Sequence, residues 1–219
     1  MRYVTVEGCI GVGKTTLTHL LSQALSARTI LEVVEDNPFL PDFYQDKVAH
    51  SFKTQMFFLL SRFKQQDALQ QGDLFTGAVV SDYLFDKDRI FAELTLSSSE
   101  MALYDSIFRA LSSKVRAPEL VVYLHAPMDV ILERIAKRGR SFEKDMDVGY
   151  LRDLVEAYGR FFQSYDDAPV LMVDTADLNF PANERDLAVV IEAVRSFQAD
   201  GPKRRMITGP RNERQGTLV

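Results

Sequence analysis

The sequence predicts an α/β domain built on a parallel sheet with helices on both faces. Short apolar, β-rich runs alternate with helical periodicity along nearly the whole chain. The first such run passes through a glycine-rich loop straight into a helix. With 219 residues and 46% hydrophobic composition, the chain suits one domain with a core of ordinary size.

Residues 2–6 form the first strand, and Leu17, Leu20, Leu21, Ala24 and Leu25 recur at helical spacing just after the loop. Further strands are expected at 29–34, 78–81, 120–124 and 170–173, giving five parallel strands. Between the second and third, helices at 41–50 and 51–71 make an excursion long enough to frame a pocket. A ligand of such a sheet lies at the strands' carboxyl ends. The domain is expected to span 1–200. Residues 201–219, with five basic side chains against one acidic and no periodicity, read as a solvated, mobile tail.

Composition narrows the partners. An excess of 31 acidic over 26 basic residues, net charge −5, argues against broad affinity for nucleic acid or anionic membrane and points to small molecules. Cys9 is the only cysteine, so the chain has no disulfide framework and no cysteine-based metal site, which fits a reducing cytoplasm. With no basic segment followed by a long apolar one before the first strand, no signal peptide is expected, and the apolar cluster at 56–60 is far too short to span a bilayer.

Gly8-Cys9-Ile10-Gly11-Val12-Gly13-Lys14-Thr15 matches the phosphate-binding pattern G-x-x-x-x-G-K-[ST] at every fixed position. Its glycines let the backbone wrap the phosphates, so that N–H groups around Gly8, Gly11, Val12, Gly13 and Thr16 and the positive helix end face the anion. Lys14 reaches the β- and γ-phosphates and Thr15 ligates Mg²⁺. The fold expected is therefore a P-loop NTPase-type three-layer domain. Neither N-K-x-D nor D-x-x-G occurs, which disfavours a GTPase switch.

Glu35 leaves the second strand within Glu35-Asp36-Asn37-Pro38. Tyr44 is followed eleven positions later by Gln55 and eighteen later by Arg62, with Ser51-Phe52 between, and Arg134 to Glu143 reads RIAKRGRSFE. On these residues the chain resembles the deoxyribonucleoside kinase family, in its bacterial deoxyadenosine, deoxycytidine and deoxyguanosine branch, over about residues 3–173. The resemblance implies a catalytic glutamate at Glu35, base recognition by Gln55 and Arg62, and sugar contacts from Tyr44 and Glu143. It also implies an arginine-bearing lid at about 134–145, an acid supporting Mg²⁺ at Asp82, and adenine held by the loop starting at Asp174. Family members are commonly homodimers, and the helices flanking Gln55 and at 101–114 could supply the interface.

Physical chemistry supports these roles. A sugar hydroxyl is a poor nucleophile, so a carboxylate within hydrogen-bond reach can orient it and take its proton. Glu35 could instead cap a helix or face solvent. Arg134 and Arg138 share a helix face, and Gly139 can break the helix so that Arg140 turns back over the phosphates. A solvated basic helix end is the plainer reading. The family pairs its base-reading arginine with an aspartate after the third strand. Asp88 is the nearest counterpart and Asp86 is also possible. Such a pair suits deoxycytidine and purine deoxynucleosides better than thymidine.

One departure stands out: Asp82 is followed by Tyr83, where many family members have arginine. Lys87 and Arg89 are the candidate replacements. The expected activity is Mg²⁺-dependent transfer of the γ-phosphate of ATP, or another nucleoside triphosphate, to a deoxynucleoside 5′-hydroxyl in nucleotide salvage. The rivals are a thymidylate-kinase-type nucleoside monophosphate kinase and a non-catalytic nucleotide-binding protein.

Overall fold

A computed structural model of the chain describes residues 3–71, 77–140, 146–176, 178–197 and 203–208. Its sheet comprises β1 (Tyr3–Gly8), β2 (Arg28–Ile30), β3 (Val79–Ser81), β4 (Leu120–His125), β5 (Val170–Asp174) and β6 (Arg204–Ile207). All neighbours are parallel, in the spatial order β2-β3-β1-β4-β5-β6. β1 is buried at every residue because it runs between β3 and β4 with helices over both faces. The order reverses at β1, so its carboxyl end opens into the crevice where ligands of doubly wound sheets bind.

The sheet has six strands, not the five expected. β6 pairs with β5 in the register Val170↔Arg204 to Val173↔Ile207. It escaped sequence reading because only Ile207 is buried, so this edge strand shows no apolar alternation. Residues 204–207 of the expected tail therefore belong to the sheet.

Among the described residues the helices are α1 (Lys14–Ala24), α2 (Leu40–Gln45), α3 (Lys47–Gln71), α4 (Asp88–Thr95), α5 (Ser98–Ser112), α6 (Met128–Arg138), α7 (Val148–Ser164) and α8 (Glu184–Arg195), with a 3₁₀ turn at Phe85–Lys87. The excursion after β2 divides earlier than expected. Asp46 accepts a hydrogen bond from Ala49 N (3.1 Å) and so starts α3 at Lys47 instead of residue 51. α5 is capped by Ser97, whose hydroxyl accepts from Glu100 N while the Glu100 carboxylate accepts from Ser97 N. α6 ends as expected at Gly139, whose φ of 68° suits a residue without a Cβ.

The main core joins β1, β4 and β5 to α1, α6, α7 and α8. A second core, around Leu59, Phe85, Tyr104 and Phe108, ties α3 and α5 to the loop after β3. This second core fixes the wall of the cleft opposite the phosphate loop.

Among the described residues, no helix is long and apolar enough to cross a membrane.

Candidate active site

At the carboxyl edge of the sheet lies a cleft of about 1160 Å³. That volume is sufficient for two nucleoside-sized ligands. The loop between β1 and α1 forms its floor. Gly13 takes the left-handed backbone (φ 106°) that turns the loop into the first turn of α1. Lys14 Nζ donates to the carbonyls of Gly8 (2.8 Å) and Cys9 (3.1 Å), folding back along the loop that it would leave to meet a phosphate. Burial lowers the Lys14 pKa, and the Lys87 charge lowers it further. The Cys9 thiol, buried beneath the loop, is pushed up to about 12 by burial and is inert at neutral pH. Val12 and Thr16 line the cleft.

Thr15 Oγ1 donates to Asp82 Oδ2 at 2.7 Å, so the first turn of α1 and the end of β3 meet. A hydroxyl and a carboxylate side by side are hard oxygen donors of the kind that suits Mg²⁺. Asp82 Oδ1 accepts from the backbone N of Glu32 at 2.6 Å.

That last bond explains the largest departure from expectation. Among the described residues β2 is an edge strand paired with β3, and the register Ile30↔Ser81 ends both together. The chain then leaves the sheet: Glu32 N turns to the Asp82 carboxylate, and Leu31 O accepts from Gln65 Nε2 at 2.9 Å. The strand expected at 29–34 is therefore Arg28–Ile30, and the carboxylate at its end is Glu32 instead of Glu35.

Glu32 lies deep in the cleft. Its side chain is 11% exposed and accepts from both Nε and Nη2 of Arg62, and from Lys87 Nζ at 2.8 Å. Burial alone would push its carboxyl up, but the adjacent guanidinium and ammonium hold it well below the usual carboxylate range. Glu35 sits at the mouth of the cleft, 61% exposed, and pairs with Arg140 at 2.7 Å.

Arg62 also pairs through Nη1 with Asp88, which is fully buried and accepts from Tyr104 OH at 3.0 Å. Between the two aspartates left open by the sequence, Asp88 is thus the partner of Arg62. Asp86 faces Asp167 instead, and burial together with that like charge raises its carboxyl to about 6. Gln55, on the same face of α3 as Arg62, donates from Nε2 to Thr95 Oγ1 at 3.4 Å and lines the cleft with Tyr44 and Phe58.

The lid arginines diverge. Arg138 and Arg140 line the cleft. Arg134 lines it too, but its guanidinium is tied down, donating to Val12 O (3.2 Å), Thr175 Oγ1 (2.8 Å) and Thr175 O (2.7 Å). It joins the loop after β5 to the phosphate loop. In that loop, Asp174 Oδ1 accepts from Ala176 N at 2.9 Å and shapes the turn, while Leu178 and Phe180 line the cleft. Glu143 lies outside the described residues.

Tyr83 is fully buried and turned away from the phosphates, its hydroxyl accepting from Gln66 Nε2 at 3.5 Å beside Tyr3. Arg89 points outward to Glu93 (2.8 Å) and Asp105 (3.5 Å). Sequence reasoning missed Glu32 because it read that residue as part of a strand. The signal available was the brevity of the third strand, which limits how long its edge partner can be.

A family model described as deoxynucleoside kinase matches residues 4–198. A deoxyguanosine kinase of Bacillus subtilis (strain 168) is 37% identical over 200 residues, covering 89% of this chain and 97% of its own. A deoxyadenosine/deoxycytidine kinase of the same organism is 31% identical over 209 residues, covering 92% and 95%. Among solved structures, a deoxyadenosine kinase from M. mycoides with bound dATP shares the fold, with a TM-score of 0.78 at 24% identity over 90% of this chain and 100% of that one.

Proposed function

The chain belongs to the deoxynucleoside kinase family, and on that premise we propose that it transfers the γ-phosphate of ATP, or another nucleoside triphosphate, to the 5′-hydroxyl of a deoxynucleoside. The observation that carries this reading is the position of Glu32, a buried carboxylate tied through its own backbone to Asp82, which in turn meets Thr15 of the phosphate loop. An alcohol bound beside Glu32 lies next to the end of a triphosphate bound on the loop.

In the reaction, the acceptor hydroxyl donates a hydrogen bond to Glu32. Its oxygen bonds to the γ-phosphorus as the bond to the bridging oxygen breaks, leaving that electron pair on the nucleoside diphosphate, and the hydroxyl proton passes to Glu32. Arg138 and Arg140 stabilise the charge on the transferring group and exclude water. Thr15 and Asp82 would hold Mg²⁺, which when bound neutralises phosphate charge. Arg134 and the loop after β5 frame the donor base. Glu143 is assigned to the sugar with Tyr44.

Arg62, held between two carboxylates, presents a fixed donor edge, and Gln55 offers both a donor and an acceptor. This suits deoxyadenosine, deoxycytidine or deoxyguanosine over thymidine, in agreement with the names of the bacterial relatives. The chain acts as a cytoplasmic salvage enzyme and a homodimer.

The test is a transfer assay with ATP and Mg²⁺ against the four deoxynucleosides and their monophosphates. Product from a purine deoxynucleoside or deoxycytidine is expected. Product only from monophosphates would favour a nucleotide kinase, and binding of ATP with no product would favour a non-catalytic protein.

A further inference from the structure

Building on the kinase reading above, we propose that Lys87 is a catalytic residue whose ammonium meets the oxygens of the transferring γ-phosphoryl group from the acceptor side, opposite Lys14. Lys87 ends the 3₁₀ turn after β3, and its side chain is 2% exposed yet lines the cleft. A lysine charge at that depth is costly unless paired and hydrogen-bonded. Its ammonium has three N–H donors but makes one hydrogen bond among the described residues, to Glu32 Oε2 at 2.8 Å. Its other carboxylate neighbour, Glu7 Oε2, is at 3.8 Å, beyond hydrogen-bond distance.

Glu7 does not need Lys87. This fully buried carboxylate accepts from Gly8 N (2.7 Å), Leu84 N (2.7 Å) and Tyr158 OH (3.1 Å), all on fixed elements. It therefore fixes a carboxylate under the phosphate loop, 3.8 Å from the Lys87 ammonium, that takes up none of the Lys87 donors. Lys87 retains two N–H groups in a cleft whose far side is the phosphate loop. Its charge also lies close enough to depress the Lys14 pKa, so two ammonium groups face one space. An anion between them relieves that repulsion, and the end of a bound triphosphate is the anion this cleft is built for.

The other side chains of this segment do not compete, since Tyr83 turns to Gln66 and Arg89 to Glu93. As the acceptor oxygen attacks, Lys87 donates to the equatorial phosphoryl oxygens while Glu32 receives the hydroxyl proton. Lys87 itself gives up no proton.

The experiment compares the full-length wild type with Lys87→Met, Lys87→Gln, Lys87→Arg and Arg89→Ala. The readouts are binding of ADP and of a non-transferable imido analogue of ATP, and steady-state transfer. Loss of Lys87 should weaken the analogue by about tenfold or more while ADP stays within about twofold, and should lower kcat by about 10²–10³-fold with a small change in nucleoside KM. Lys87→Arg should recover much of that loss, and Arg89→Ala should behave as wild type. Equal weakening of ADP and the analogue, or kcat within about threefold of wild type, would overturn the proposal. Lys87→Gln, which keeps a donor and the volume, serves if Lys87→Met does not fold. Wild type that phosphorylates no deoxynucleoside would defeat the kinase reading, and the ADP-against-analogue comparison would still decide Lys87.

Discussion

In the proposed reaction the donor half of the cleft would work through backbone that glycine frees to approach phosphate, whereas the acceptor half is held by charged side chains buried against one another. In the donor half, one contiguous segment, Gly8 to Thr15, supplies N–H groups, a lysine and a hydroxyl. In the acceptor half, Glu32 follows β2, Arg62 lies on α3, and Lys87 and Asp88 follow β3. Two cations and two carboxylates there neutralise each other out of water, an arrangement that is tolerable only while every member is present. The first half should therefore be sensitive to shape and the second to charge.

The sharpest break in this contrast is Arg62→Leu. It leaves Asp88 and Glu32 short of their shared cation, so unfolding in urea should show a loss of about 3–5 kcal/mol, with nucleoside KM raised well beyond that for ATP. A loss below about 1 kcal/mol would mean that the charges are not mutually dependent.

Gly13→Ala probes the donor half by shape. A Cβ there would sit 3.3 Å from the Phe180 ring on a backbone with φ of 106°. ATP affinity should fall by about tenfold, the equivalent of about 1–2 kcal/mol of backbone strain, while nucleoside binding to the acceptor half is spared.

The smallest effect belongs to Asp86, outside both halves. Its carboxyl keeps its proton to about pH 6 when folded, against 3.8 in its ordinary state, so the folded state binds more protons across that window. The stability linked to it is fully present below the lower value and is lost as pH rises through about 6. Asp86→Asn should accordingly raise stability by about 1–2 kcal/mol at pH 7.5 and change it little at pH 3.5, as read from thermal melts at both pH values.

The same contrast governs what the sequence reveals. The phosphate loop was legible because its chemistry sits in consecutive residues, and the helix stop at Gly139 because one residue encodes it. The Arg62 pairing was open between Asp86 and Asp88, since choosing requires knowing which way the 3₁₀ turn faces. Glu32 was hidden because the end of β2 depends on the register Ile30↔Ser81, a property of two strands separated by two helices. β6 was hidden because an exposed edge of Arg204, Arg205 and Met206 carries no burial pattern. Arg134 shares a helix face with Arg138, yet its place beside Thr175 depends on how α6 docks on the sheet.

The central claim is that Glu32, at the floor of the cleft, takes the proton of the acceptor hydroxyl, while Glu35 at its mouth only pairs with the lid. Single-turnover phosphoryl transfer with saturating ATP, Mg²⁺ and the best deoxynucleoside should be measured for Glu32→Gln and Glu35→Gln side by side. The account predicts a fall of about 10²–10⁴-fold for Glu32→Gln and at most about fivefold for Glu35→Gln. The reverse order would return the catalytic role to Glu35 and contradict the account.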